Sequence, residues 1–249
     1  MDNLTPSGIY DFLPTETAAF GRVVESLKET FLSCDYSQIR TPTIEYYDSL
    51  VKGMGPKLKE IAVTFMDSLG NVLTLRPDHT APIARLVASR MKGDSLPLKL
   101  FYIDPIFRKQ QRQDCDEVEQ YQAGIELIGE DSAEADAEVI QVVIQALLAL
   151  GVTNFGVDVG SVDFTKGVSD VTKEALLKGD YLGMKSIPEQ GDVSIVQDHD
   201  RLVAVESILN KNKVSSFVSF NKGLVKEIHY YTGIIFEVYC KKTHQVIAS

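Results

Sequence analysis

The chain has 249 residues, of which 44% are hydrophobic, so one large domain or one and a half, with a well-buried core, is expected. Thirty-five acidic residues against 25 basic ones give a formal net charge of -10, which disfavours nucleic acid as the main partner because phosphate binding relies on clustered lysine and arginine. The three cysteines are widely spaced, no secretory signal is visible, and no apolar run approaches the roughly 18 residues of a membrane span. These features predict a cytoplasmic protein with neither disulfides nor a membrane partner.

Helices and hairpin strands interleave along the chain. Helical spacing of apolar residues predicts helices over residues 16–32, 80–91 and 133–150, with Thr80 as a candidate N-cap. A hairpin is predicted over residues 63–75, and further strands at residues 36–40, 98–103, 122–128, 154–159, 234–239 and 245–248. Because no βαβ rhythm is present, the pattern indicates an α+β fold with a mainly antiparallel sheet flanked by helices. Residues 161–216 are predicted to form a small helical insertion within it.

The richest polar pattern lies in residues 100–129. Phe107 and Arg108 end one predicted strand, a polar loop follows over residues 109–117, and the next strand carries Gln122 and Glu126. On the residues alone, Gln122 and Glu126 could both lie on a solvated sheet face. In the same way, Arg76 and Asp78 could form an ordinary surface pair.

Other candidate motifs point to no catalysis. Residues 53–57 (GMGPK) lack the spacing and the Ser/Thr of a P-loop, so they are predicted to be a mobile loop. No cysteine has a recognisable base partner, which argues against a cysteine nucleophile. No metal and no cofactor are predicted, because metal-ligand spacing is missing among the histidines His79, His199, His229 and His244.

Four segments resemble histidyl-tRNA synthetases, in that family's order. Residues 6–14 (PSGIYDFLP) resemble the entry segment, and residues 36–45 (YSQIRTPTIE) resemble motif 1, which usually forms a dimer interface. Residues 73–82 (LTLRPDHTAP) and 224–237 (LVKEIHYYTGIIFE) resemble the two remaining family segments, the second being the histidine-specific signature. The strand–loop–strand at 100–129 resembles motif 2. The resemblance implies a class II aminoacyl-tRNA synthetase-like domain over residues 1–249.

Within that group the chain is similar to the regulatory subunits of ATP phosphoribosyltransferase. Residues 122–129 (QAGIELIG) and 135–140 (ADAEVI) carry this likeness. Several departures from the synthetases support it: Lys226 replaces the signature's arginine, Gln110 replaces the acid after the motif 2 arginine, and the motif 2 loop is acidic. The chain stops at Ser249, so the last strands of the domain and motif 3 are expected to be missing from it.

The resemblance implies a function. It implies a non-catalytic regulatory subunit of short-form ATP phosphoribosyltransferase, needed for assembly, activation and histidine feedback in the first step of histidine biosynthesis. The implied partners are the short-form catalytic subunit and free histidine, with a homodimer inside a hetero-oligomer and no tRNA. The alternative is the truncated catalytic core of a histidyl-tRNA synthetase, and residual adenylation of histidine is a third reading.

The resemblance also implies a set of histidine-binding residues. Carboxylate, amide and hydroxyl groups would accept the ammonium, Arg108 would face the carboxylate, and two tyrosines would wall the imidazole. Asp at position 78, where the family has Glu, shortens the reach of that carboxylate. The implied site consists of Asp78, Thr80, Arg108, Gln122, Glu126, Tyr230 and Tyr231.

Overall fold

A computed structural model of the chain describes residues 5–55, 57–109, 117–162, 199–221, 224 and 231–249. The chain divides into two compact units, Met1–Glu130 and Asp131–Ser249. The elements of the first unit are α1 (Pro14–Ser33), β1 (Ser37–Gln38), β2 (Ile44–Tyr46), α2 (Tyr47–Met54), α3 (Lys57–Ile61), β3 (Thr64–Met66), β4 (Val72–Leu75), α4 (Thr80–Arg90), β5 (Leu98–Phe107) and β6 (Glu119–Ile128). Those of the second are α5 (Ala133–Ala149), β7 (Phe155–Ser161), α6 (His199–Lys211), β8 (Val218–Phe220), β9 (Ile234–Cys240) and β10 (Val246–Ala248). In these stretches, no helix has the length and apolarity needed to cross a membrane.

The main sheet of the first unit has the order β1-β5-β6. Strands β5 and β6 are antiparallel, and β1 pairs with β5 in parallel. On one face, Leu100 and Tyr102 pack against Ile83 of α4. On the other face, the Phe101 ring lies 5.3 Å from the ring of Phe31 in α1. This unit therefore has helices on both faces of its sheet, as the alternating directions of successive β5 side chains require.

Strand β5 continues through Asp104 and Pro105 to Phe107, so it passes the end predicted at residue 103 and reaches the strand end that the pair Phe107 and Arg108 indicated. Proline lacks the backbone N–H of a strand ladder, so Pro105 has to be accommodated within the strand. The neighbour β1 pairs only with Leu100 and Phe101. At Pro105 the edge of β5 on that side has no β1 partner, so the strand tolerates the missing backbone N–H there.

The predicted hairpin at 63–75 is confirmed as β3 and β4, which join β2 in a second antiparallel sheet of the order β2-β4-β3. The prediction of a loop at residues 53–57 is wrong for residues 53 and 54. Gly53 and Met54 end helix α2, and Met54 is buried in a cluster with Leu50 and Leu58. The helix ends there because Gly55 adopts φ +67°, a left-handed conformation that glycine tolerates.

The second unit contains a four-stranded sheet of the order β10-β9-β7-β8. Its core is formed by alternate residues of β7, such as Phe155 and Val157, together with apolar residues of α5 and α6. Arg201 on α6 binds Asp131 and Asp136 at the start of α5, which fixes the two helices to each other. Of the predicted insertion at 161–216, residues 163–198 lie outside the described residues.

The predicted α+β class with mainly antiparallel pairing is confirmed. Among the strands of the described ranges, β1–β5 and β7–β8 pair in parallel, and the other pairs are antiparallel. The predicted terminal strand pair is likewise present as β9 and β10.

Candidate functional site

The start of helix α4 organises the polar residues of the first unit. The Thr80 backbone N–H donates to Asp78 Oδ1 at 2.9 Å, so the carboxylate of Asp78 satisfies one of the free amides of the first helical turn. Thr80 is the first residue of the helix and His79 occupies the N-cap position, so the prediction of Thr80 as N-cap is wrong. The hydroxyl of Thr80 is therefore available for another partner.

That partner is Glu126 on β6. Thr80 Oγ1 donates to Glu126 Oε1 at 2.8 Å. Burial raises the pKa of Glu126 from 4.5 to about 7; the hydrogen bond from Thr80 lowers it, and the charge of Asp78 raises it. In the described part of the chain, no arginine, lysine or histidine forms an ion pair with this carboxylate. Glu126 is thus a partly buried acid next to a second acid, and it does not lie on a freely solvated sheet face.

Arg108 holds the other side of Asp78. Its Nε donates to the Pro77 carbonyl at 2.7 Å, and its Nη2 lies 3.3 Å from Asp78 Oδ2. The side chain of Arg108 is 35% exposed, while that of Asp78 is 8% exposed. One edge of the guanidinium is therefore fixed to the loop before α4, and the exposed part remains able to receive an anion.

Gln122 lies on the same face of β6 as Glu126, because the two are an even number of residues apart. Along a strand, four residues span about 13 Å. The side-chain oxygen of Gln122 is buried, and it accepts no hydrogen bond from the residues that the structure describes. A buried amide oxygen without a donor is costly, so this group is available to a ligand donor.

The sequence placed two tyrosines in the same site. Tyr230 lies outside the described residues. Tyr231 belongs to the second unit and precedes β9, so it does not lie on a strand. The first unit by itself brings together Asp78, Thr80, Arg108 and Glu126 in one hydrogen-bonded chain, with Gln122 on the same sheet face.

Two supporting residues of this site were not recognised in the sequence. Arg76 is 2% exposed and donates to the carbonyls of Pro105 and Thr41, at 2.8 and 2.7 Å. The suggested surface pair of Arg76 with Asp78 is therefore wrong. His79 is also buried, and its ring stacks on that of Tyr102 at 4.1 Å. Both residues belong to the segment LTLRPDHTAP. Their supporting role depends on burial, which the spacing of residues in one sequence does not predict.

The arrangement suits a small zwitterion. Glu126, Gln122 and Thr80 offer acceptor oxygens, with net negative charge, to an ammonium, and the exposed part of Arg108 offers donors to a carboxylate. No group of three His, Cys, Asp or Glu residues that could hold a metal ion occurs within the described ranges.

Comparison with known proteins places the chain in a family. A family model described as histidyl-tRNA synthetase matches residues 8–182. The chain is 33% identical over 277 positions to an ATP phosphoribosyltransferase regulatory subunit of Thermoanaerobacter sp. (strain X514), covering 95% of this chain and 72% of that protein. It belongs to this histidyl-tRNA synthetase-like family. The regulatory subunit of Halothermothrix orenii is 32% identical, over 94% of this chain and 66% of that relative.

The fold comparison agrees. A crystal structure from Bacillus halodurans C, titled as an ATP phosphoribosyltransferase regulatory subunit/histidyl-tRNA synthetase, matches with a TM-score of 0.87 and 29% identity. The match covers 99% of this chain and 75% of that one. The class II synthetase-like fold expected from the sequence is thereby confirmed. The chain spans about two thirds to three quarters of the length of these relatives.

Proposed function

We propose that this chain is a regulatory subunit of short-form ATP phosphoribosyltransferase and acts in the cytoplasm, in the first step of histidine biosynthesis. In this role it performs no catalysis, assembles as a homodimer within a hetero-oligomer, and is required for activity of the catalytic subunit. Free histidine is its effector. The relatives named as regulatory subunits support the family role, and the polar site of the first unit supports the effector.

One observation carries the choice of effector: on one sheet face, the buried side-chain oxygen of Gln122 accepts no hydrogen bond, and the carboxylate of Glu126 has no cationic partner, among the described residues. The ammonium of an amino acid would supply the missing positive charge, and a second donor of the same ligand, such as the imidazole N–H of histidine, would supply the hydrogen bond that the other group lacks. Binding would shift the assembly only if one state of the complex holds histidine more tightly than another, which is the thermodynamic requirement for feedback.

The alternative is a catalytic core that activates histidine with ATP. It is favoured by the family model, which carries the synthetase description over residues 8–182, and by the retained Arg108. Two replacements argue against it. Lys226 stands where the synthetase signature has arginine, and lysine lacks the planar fork of arginine. Gln110 stands where the synthetases have an acid after the motif 2 arginine. Histidine-dependent exchange between ATP and pyrophosphate separates the two functions directly.

The first test is titration calorimetry of histidine on the purified chain, together with the exchange assay. We expect binding without exchange. Glu126→Ala is expected to weaken binding at least tenfold, because it removes the negative charge at the ammonium position, and hydrogen bonds to charged groups contribute about 1.5–3 kcal/mol. The control is Glu119→Ala, on the same strand but the opposite face, with unchanged affinity expected.

Each outcome has a defined meaning. Unchanged affinity in Glu126→Ala would contradict the placement of histidine in this site. Exchange at synthetase-like rates would contradict the non-catalytic role. A second experiment, size-exclusion chromatography with the short-form catalytic subunit, tests assembly separately; two species that elute apart at micromolar concentration, with no activation, would contradict the partnership.

A further inference from the structure

A stack of aromatic rings stands between strand β6 and the start of helix α4. Tyr102 on β5 lies directly opposite Gly124 on β6 in the strand register. A side-chain carbon at position 124 would overlap the Tyr102 hydroxyl and lie 2.6 Å from Cζ of the same ring. The phenol therefore fills the space where a side chain at position 124 would be, and glycine is required there.

The same tyrosine also packs against the first residues of helix α4. His79, at the N-cap position of α4, stacks on the Tyr102 ring with a centroid distance of 4.1 Å and an interplanar angle of 25°. Its Nε2 lies 3.4 Å from the Asp104 carbonyl, which ties the imidazole to β5. Tyr102 and His79 are 6% and 1% exposed. The contacts thus run from Gly124 to the phenol and from the phenol to the imidazole.

The residues on either side of this stack are those of the candidate site. Asp78 and Thr80 flank His79 in sequence, and Gln122 and Glu126 flank Gly124 two residues away on the same face of β6. The 2.8 Å bond from Thr80 to Glu126 crosses the gap between helix and strand. A thinner or thicker stack would therefore change the distance between the polar groups at the start of α4 and those on β6.

We infer that Tyr102 and His79 are positioning residues, which set the distance between the start of α4 and β6 and thereby align Thr80 and Asp78 with Glu126. The inference rests on the proposed amino-acid site for its functional meaning. The spacing role itself concerns only contacts within the first unit. A neutral imidazole suits this role, since burial and the nearby charge of Arg76 lower the pKa of His79 to about 4.

The test is a double-mutant cycle between Thr80→Val and Glu126→Ala, which remove the donor and the acceptor respectively, measured by urea unfolding at pH 8 in the parent chain and in Tyr102→Leu. Hydrogen bonds to charged groups predict a coupling of about tenfold or more in the unfolding equilibrium constant of the parent. We expect the coupling to fall below about twofold in Tyr102→Leu, which keeps an apolar side chain but loses the ring. Tyr102→Phe keeps the ring and is expected to restore the coupling.

A matched control separates positioning from general destabilisation. Phe101→Leu removes a buried ring from the adjacent residue of β5, on the face that packs against Phe31. It is expected to lower stability but to leave the Thr80–Glu126 coupling intact. If Tyr102→Leu does not fold, Gly124→Ala tests the stack from its other side, because the added methyl pushes the phenol towards His79. Coupling retained within twofold in the foldable variant would overturn the inference.

Histidine titration on the same variants links the stack to the proposed function. Tyr102→Leu and Gly124→Ala are expected to raise the Kd for histidine about tenfold, Tyr102→Phe by less than about threefold, and Phe101→Leu not at all. If the parent chain binds no histidine, the proposed effector is wrong, while the mutant cycle still decides the positioning role. If histidine binds equally well in Tyr102→Leu, the stack does not align the site.

Discussion

Glu126→Gln is expected to stabilise the protein at pH 8, by about 3 kcal/mol in the free energy of unfolding. The carboxyl is largely buried, and its pKa in the folded state rises from 4.5 to about 7. At about 1.4 kcal/mol per pH unit, that difference is the cost of keeping the ionised form in the folded protein. Glutamine has nearly the same shape and no charge, so it avoids this cost.

The expected gain depends on pH in a defined direction. Below about pH 4.5 the glutamic acid is protonated in both the folded and the unfolded chain, so Glu and Gln should be equally stable. Between pH 4.5 and about 7 the unfolded chain loses the proton first, and the parent protein becomes less stable as the pH rises. Above pH 7 the difference between the two proteins should reach its full value and remain constant.

Urea unfolding at pH 4.5, 6 and 8, followed by circular dichroism, measures this difference. The control is Glu130→Gln, an exposed substitution at the end of the first unit, which is expected to stay within about 0.5 kcal/mol of the parent at each pH. If the Glu126→Gln variant were more stable than the parent by the same amount at pH 4.5 and pH 8, the carboxylate would not be held at a cost.

The same substitution is expected to weaken histidine binding. If Glu126 contacted no ligand, its replacement by Gln would leave histidine affinity unchanged. If its carboxylate contacts the ammonium of histidine, the same replacement lowers the affinity. Saturating histidine should therefore raise the stability of the parent by RT ln(1 + [L]/Kd) and leave the Gln variant nearly unchanged.

Local pattern in the sequence was enough to predict most of the framework. Helices α1, α4 and α5 and the β3–β4 hairpin follow from apolar spacing and turn residues, and they form near the predicted bounds. The failures are places where tertiary contacts decide. Helix α2 continues through Gly53 and Met54 because Met54 is buried against α3, and β5 passes Pro105 because β1 has already ended.

The site shows the same division. The resemblance identified Asp78, Thr80, Arg108 and Glu126, and the structure joins them in one hydrogen-bonded chain. Their roles within the protein could not be predicted, because these depend on burial. Asp78 uses its two oxygens for the helix start and for Arg108, which leaves Glu126 as the acid without a protein cation in the described part of the chain. Spacing along one strand carries no information on that difference.

The second large effect is expected at Arg76: Arg76→Met should destabilise the first unit by about 3–5 kcal/mol. The guanidinium is buried, donates to the carbonyls of Thr41 and Pro105, and lies 3.9 Å from Asp104 Oδ1. Methionine fills much of the volume but offers no donor. The two carbonyls and a carboxylate that is only 10% exposed would then lose Arg76 as their partner. Arg40, which is 75% exposed, would be the remaining cation beside Asp104.

Urea unfolding of Arg76→Met, of Asp104→Asn and of the double variant tests this account. The double variant should recover part of the loss, because asparagine removes a buried charge whose remaining cation is the exposed Arg40, while the two carbonyls stay without a donor. Arg90→Met, at the exposed end of α4, is the control and should change stability by less than about 0.5 kcal/mol. A loss of that small size in Arg76→Met would show that the buried arginine is dispensable. A large loss without recovery would assign its contribution to the two carbonyl bonds, which hold the strand end that leads into Pro77 and Asp78.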